Sequence, residues 1–284
     1  MRNLWPRSAK VSGYVDGQNV MIEDHWLEGR YDRLPSLMDD LIRRRVAVIA
    51  TPSNTAGSIA AKAATATIPI VFGVGDDPVK LGLVTTLARP GGNATGINYF
   101  AQEVNAKRLG LLHELIPKAT RVAVLLNPAN APIAETMLRD IPEGARVLGL
   151  QTQILNASTS REIETAFAAL VRDRAEALFV APDAFFISRR VQFATLATHH
   201  RIPASYNNRE TVEVGGLMSY GTDRIDMSRQ VGAYTGQILK GAKPADLPVL
   251  QSTKFEFLIN AQTARALGVE VPNALQLVVD ELID

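Results

Sequence analysis

The feature that most constrains this chain is an internal repeat. The stretch IPIVFGVGDDPVKLGLVTTLARPGGNATG, residues 68–96, has a shorter counterpart in IPASYNNRETVEVGGLMSYG, residues 202–221. In each, an Ile-Pro step leads into strand-forming residues, then a polar loop, then a Gly-Leu pair. Pro69 and Pro203 lie as far apart along the chain as Gly82 and Gly216. Upstream, VAVIATPSN (46–54) faces EALFVAPDA (176–184). Each half therefore reads as strand, polar loop with Pro, helix, Ile-Pro, second strand and second polar loop. Repetition of a whole supersecondary unit sets the architecture before any local signal does. It predicts two similar α/β lobes, and the short, nearly all-apolar strands are those of a parallel sheet covered on both faces.

The local patterns fill in that frame. Leu34, Leu37, Met38, Leu41 and Ile42 recur at helical spacing over 31–45, and Val104, Arg108, Leu111, Leu112 and Leu115 do so over 102–116. Thr51 to Thr55 supplies cap residues for an Ala-rich helix through Ala66, and Thr159 with Glu162 forms a capping box for the helix carrying Ile163, Phe167, Leu170 and Val171. Asp76 and Asp77 before Pro78 predict a helix start that runs to Pro90. Pro142 and Gly144 predict a break or kink in the helix that begins near Ile133. Gly241 and Gly268 stand where C-terminal caps of helices belong.

Composition narrows the function classes. With 30 Lys plus Arg against 29 Asp plus Glu, the net charge of +1 gives no electrostatic case for nucleic acid or an anionic membrane. Arg43, Arg44 and Arg45 form the one compact basic run and close a helix, where cations suit the macrodipole. There is no cysteine, which removes disulfides, thiolate catalysis and Cys-ligated metals together. His25, His113, His199 and His200 lack the helical spacing of a metal pair. Gly73 to Pro78 opens like a dinucleotide fingerprint, but Pro78 stands where the third glycine is needed, so an NAD-dependent enzyme is the weaker reading. Gly216 to Gly221 lacks the spacing of a nucleophile elbow. No metal and no cofactor is expected.

The segments EGRYDRLPSLMDDLIRRRVAVI, AAKAATATIPIVFGVGDDPVKLGLV, RPGGNATG, FFISRR, GGLMSYG, YTGQILKGAKPADLPV and TKFEFLINAQTARALG resemble the ABC transporter substrate-binding proteins of the tryptophan/tyrosine-binding kind, from about Gly13 to the C-terminus. That resemblance implies the type I periplasmic-binding fold: two Rossmann-like lobes, crossovers near Ile97–Phe100, Leu217–Gly221 and Leu250–Thr253, and a ligand cleft that closes about them. Lobe 1 is expected over 1–98 and 221–250, and lobe 2 over 99–220 and 251–284. It further implies a monomer in the periplasm that carries a small ligand, an amino acid, to the membrane subunits of an ABC permease. Family members begin with a signal peptide and a first strand and helix, and Met1 to Lys10 stands in their place without the apolar core of a secretory signal. The sensor half of a transcriptional regulator shares this fold, but no helix-turn-helix precedes the lobes.

Ligands of open α/β sheets sit outside the carboxyl ends of the strands, so the loops there hold the candidates. They are Thr51, Ser53, Asn54 and Asp77 in lobe 1, with Asn127, Asp183 and Tyr206 in lobe 2 and Tyr220 at a crossover. An amino-acid carboxylate fits a helix N-terminus with Ser53, Asn54 and Thr55, and its ammonium fits Asp183 or Asp77. Tyr206, Tyr220, Phe185 or Phe186 are candidate aromatic walls, though Phe185 and Phe186 are adjacent and at least one should be core.

Overall fold

The computed structural model describes residues 13–27, 30–99 and 101–284, with the side chains of 101–103 outside that description. Met1 to Lys10 and Phe100, at the end of the first expected crossover, lie outside the described residues. In chain order the strands are β1 (Ile49–Thr51), β2 (Ile70–Val74), β3 (Ala94–Asn98), β4 (Arg121–Leu126), β5 (Gln151–Asn156), β6 (Ala177–Val180), β7 (Ala204–Tyr206), β8 (Met218–Thr222), β9 (Leu250–Gln251), β10 (Phe255–Asn260) and β11 (Glu281–Ile283). The chain forms two compact units, residues 1–101 with 223–254 and residues 102–222 with 255–284.

In the first unit a parallel sheet runs β1-β2-β3-β9. Alternation along β2 explains why all five of its residues are buried. Ile70, Phe72 and Val74 pack on Leu34, Met38 and Leu41 of the Leu34–Arg43 helix and on Ala61 of the Thr55–Ala64 helix. Val71 on the other face meets Met227, Val231, Tyr234 and Ile238 of the Arg224–Leu239 helix. The basic run ends the first helix as expected: Arg44 bonds Asp40 at 3.3 Å and pairs with Glu23.

In the second unit the order is β11-β10-β8-β7-β6-β4-β5, with β10 antiparallel to β8 and parallel to β11. Val122, Val124 and Leu126 of β4 pack with the Ala101–Leu115 and Ala131–Val147 helices. Ala123 and Leu125 face Ile163, Phe167 and Phe193 of the helices Ser160–Arg172 and Arg190–His199. The capping box at Thr159 and Glu162 is present, while Val171 at the end of that helix is exposed. Since β5 and β6 flank β4 on opposite sides, the strand order reverses between β4 and β6. In open α/β sheets such a reversal is where ligands sit, outside the carboxyl ends of the strands.

Two sequence expectations are corrected. The helix predicted from Pro78 is one turn only. Gly82 N-H bonds Val79 O at 3.0 Å and Leu83 N-H bonds Pro78 O at 2.9 Å, the paired bonds of a Schellman cap with Gly82 at φ 71°. Leu83 and Val84 then turn into the core, so burial of these side chains competes with helix extension and wins. The same cap follows the short Arg209–Val212 helix: Gly215 N-H bonds Val212 O, Gly216 N-H bonds Thr211 O, and Gly215 sits at φ 103°. Structurally Gly82 therefore matches Gly215, one residue from the sequence pairing with Gly216.

The second correction is at Pro142, which stands inside an unbroken helix, Ala131–Val147. A proline there costs about 3 kcal/mol. Buried Ile133, Met137 and Ile141 each contribute roughly 1.5–3 kcal/mol, and the ring is on the exposed side, so packing outweighs the lost hydrogen bond. Pro142→Ala is accordingly expected to raise the unfolding free energy by about 1–3 kcal/mol, read from urea denaturation. A neutral or destabilising result would contradict this account of the helix.

Candidate functional site

All four strands of the first unit are parallel, so their carboxyl ends share one edge. The loop after β1 approaches β2 closely there. A Cβ on Gly73 would stand 3.1 Å from Ser53 N and 3.2 Å from Met227 Sδ, so a larger residue there needs these neighbours to give by a few tenths of an ångström. Ser53 itself holds a left-handed φ of 56°, and its hydroxyl lies 3.6 Å from Met227 Sδ. Thr51 is buried with its hydroxyl 2.8 Å from Ser58 Oγ. Asn54 caps the Thr55–Ala64 helix, its Oδ1 accepting from Gly57 N-H at 2.8 Å. Three of the four lobe 1 candidates are thus in one loop, with Thr51 and Asn54 engaged internally. Thr55 is different: it is 4% exposed and its Oγ1 has no hydrogen-bond partner among the described residues. Asp77 is exposed and accepts from Val79 N-H at 2.9 Å. Past β3, burial pushes the Tyr99 hydroxyl up to about 12, with the Asp76 carboxylate adding to the rise.

In the second unit the reversal between β4 and β6 carries a polar cluster. Asp183, 5% exposed, accepts at Oδ1 from Asn127 Nδ2 (3.0 Å), Phe185 N-H (2.9 Å) and Phe186 N-H (3.3 Å), and at Oδ2 from Asn130 Nδ2 (2.9 Å). The same carboxylate therefore caps the Ala184–Ser188 helix and ties β6 to the loop after β4. Asn127 Oδ1 accepts from Ala129 N-H and from Ser158 Oγ at 2.9 Å, which adds the loop after β5. The structure thus brings Asn127 and Asp183, from the loops after β4 and β6, into direct contact. Asn130 gives its amide N-H to the carboxylate, which aims Oδ1 elsewhere. That oxygen is buried and has no hydrogen-bond partner among the described residues.

The aromatic candidates divide. Tyr206 at the end of β7 is buried beside Phe193 with its hydroxyl unpartnered among the described residues, and desolvation pushes that hydroxyl well above the usual tyrosine range. Tyr220, midway along β8, stacks on Phe255 at 6.2 Å and meets Phe257 edge-on, which packs it within its own sheet. Phe185 and Phe186 are both core. Asn130 lies in the loop after β4 where the sequence placed a candidate, while Ser158, Asn105 and the buried Arg108 escaped the sequence reading of the site. Arg108 and Asn105 sit in a helix read for its apolar face, and nothing in the sequence shows which strand end they reach.

The family model described as ABC transporter substrate binding protein matches residues 8–283. The chain belongs to that family. It is a substrate-binding protein and not an enzyme. The chain is 29% identical over 270 residues to a tyrosine-binding protein of Clostridioides difficile strain R20291, covering 93% of this chain and 75% of that one. A conserved domain protein from Vibrio cholerae superposes with a TM-score of 0.87 at 25% identity, over 98% of this chain and 93% of that one. The ABC domain from Streptococcus pneumonia in complex with L-Trp gives a TM-score of 0.85 at 23% identity, over 99% and 96%. The fold is that of type I periplasmic-binding proteins.

For this substrate-binding protein, removing the Asp183 carboxylate strands two side-chain amides and two backbone N-H groups. Asp183→Ala should lower the unfolding free energy by roughly 2–4 kcal/mol in chemical denaturation, whereas Asp77→Ala should cost about 1 kcal/mol or less. Equal costs would contradict the structural role given to Asp183.

Proposed function

We propose that this protein is the solute-binding component of an ABC importer and that its ligand is an aromatic amino acid of the tyrosine or tryptophan kind. The observation that carries the reading is the cluster at the β4/β6 reversal. There a buried acceptor, Asn130 Oδ1, stands beside a carboxylate held by Asn127 and two backbone N-H groups. An ammonium group is a donor that suits such an acceptor-rich place. The tyrosine-binding relative supports the ligand class. Thr55 Oγ1 and Tyr206 Oη are further buried polar atoms at strand ends, each able to bond a ligand.

An aromatic ring buries about 150–250 Å², worth roughly 4–6 kcal/mol of gross transfer free energy. The ring therefore supplies most of the affinity and the polar groups fix the orientation. Binding draws the two units together, and the closed form is what the permease subunits read outside the cytoplasmic membrane. Among the described residues no helix is long and apolar enough to cross a membrane.

Thermal melts against L-tyrosine, L-tryptophan, L-alanine and NAD test the proposal. An aromatic amino acid at about 100 times its dissociation constant should add roughly 2.7 kcal/mol, with L-alanine inert at the same concentration. Stabilisation by NAD instead, or by no amino acid, would sink it.

A further inference from the structure

Arg108 has no exposed surface at all. Its guanidinium lies 3.9 Å from the centre of the Phe179 ring, and Nη2 donates to Val180 O at 2.9 Å. Nε and Nη1 have no hydrogen-bond partner among the described residues, and neither has Nδ2 of Asn105, itself 1% exposed. Residues three apart lie on one helix face, so Asn105 and Arg108 present these donors together. The Ala101–Leu115 helix leads into β4 and runs against it, which puts the helix N-terminal half toward the carboxyl edge of the sheet. Long helical side chains lean toward the helix N-terminus, and Arg108 accordingly reaches the last residue of β6, three before Asp183.

The cluster has a chemical bias. It offers three N-H-bearing atoms without partners among the described residues and one formal charge, and the acceptor that Arg108 bonds is the backbone carbonyl of Val180. Burial pushes the guanidinium down to about 9, which leaves it protonated at neutral pH. A buried cation is costly without a counter-charge. The helix N-terminus at Thr55 is a poorer match for an anion, because it offers one hydroxyl and its Asn54 side chain is already spent on Gly57.

We propose that Arg108 and Asn105 form a carboxylate-accepting subsite at the β4/β6 reversal, and that its occupant is the α-carboxylate of the ligand. The assignment rests on the amino-acid reading above and moves the carboxylate from the Thr55–Ala64 helix to the second unit. Asn130 Oδ1, on the neighbouring loop, then takes the ammonium of the same head group.

The test titrates wild type, Arg108→Met, Arg108→Lys and Asn105→Ala with L-tyrosine and with tyramine, which lacks the carboxylate. Melts in formate, exchanged for fluoride at constant ionic strength, run alongside. Wild type should prefer L-tyrosine to tyramine by roughly 100-fold, and Arg108→Met and Asn105→Ala should shrink that preference while leaving tyramine affinity within about threefold. Formate should stabilise wild type, less so Arg108→Lys, and not Arg108→Met. L-Tyrosine should abolish the formate response. An unchanged tyrosine-to-tyramine ratio in the variants, or an equal formate response in wild type and Arg108→Met, overturns the subsite. If Arg108→Met does not fold, Asn105→Ala and Arg108→Lys decide the same ratio. Should wild type bind no amino acid, the functional reading fails and takes the ligand assignment with it, and the formate response still decides whether the anion subsite exists.

Discussion

The second unit depends on one carboxylate. Asp183 receives side-chain amides from both ends of the loop after β4 and two backbone N-H groups from the helix after β6. These strands flank the point where the chain reverses its direction of travel across the sheet, and the ladder between β4 and β6 ends at the bond from Ala181 N-H to Leu125 O, before the loops begin. Beyond that point the buried carboxylate ties the two loops together. Hydrogen bonds to an ionised acceptor are about twice as strong as neutral ones, which suits a position that must stay open and still be rigid.

The same geometry sets the division of labour between polar and apolar groups. Below the strand ends, alternating side chains of β2 in one unit and β4 in the other fill both faces of their sheets. At the strand ends the polar groups fall into two kinds. Asn54, Asn127 and Asp183 bond the chain itself, and Thr55 Oγ1, Asn130 Oδ1 and Tyr206 Oη do not. The residues most plainly marked as loop and cap types are the ones occupied by structure.

That pattern explains what the sequence could show. The repeat, the strand cores and the caps at Thr159, Gly241 and Gly268 were legible, because they follow from local periodicity and backbone preference. The helix expected after Pro78 was not, since its arrest depends on Leu83 and Val84 finding the core three-dimensionally. Pro142 misled for the opposite reason: a local rule against proline yields to the burial of Ile133, Met137 and Ile141. Of the site, the contact of Asn127 with Asp183 joins loops more than 50 residues apart. Periodicity placed both at strand ends but could not say that strand order makes them neighbours. Arg108 was read as one position of an apolar face, and only its bond to Val180 shows which strand end it reaches.

The central claim is that the ligand head group is read at the β4/β6 reversal of the second unit. Amide mapping by nuclear magnetic resonance on the 30.8 kDa chain, isotopically labelled and titrated with L-tyrosine, tests it most directly. The account predicts the largest shifts at the side-chain amides of Asn105, Asn127 and Asn130. Shifts centred away from these residues would contradict it.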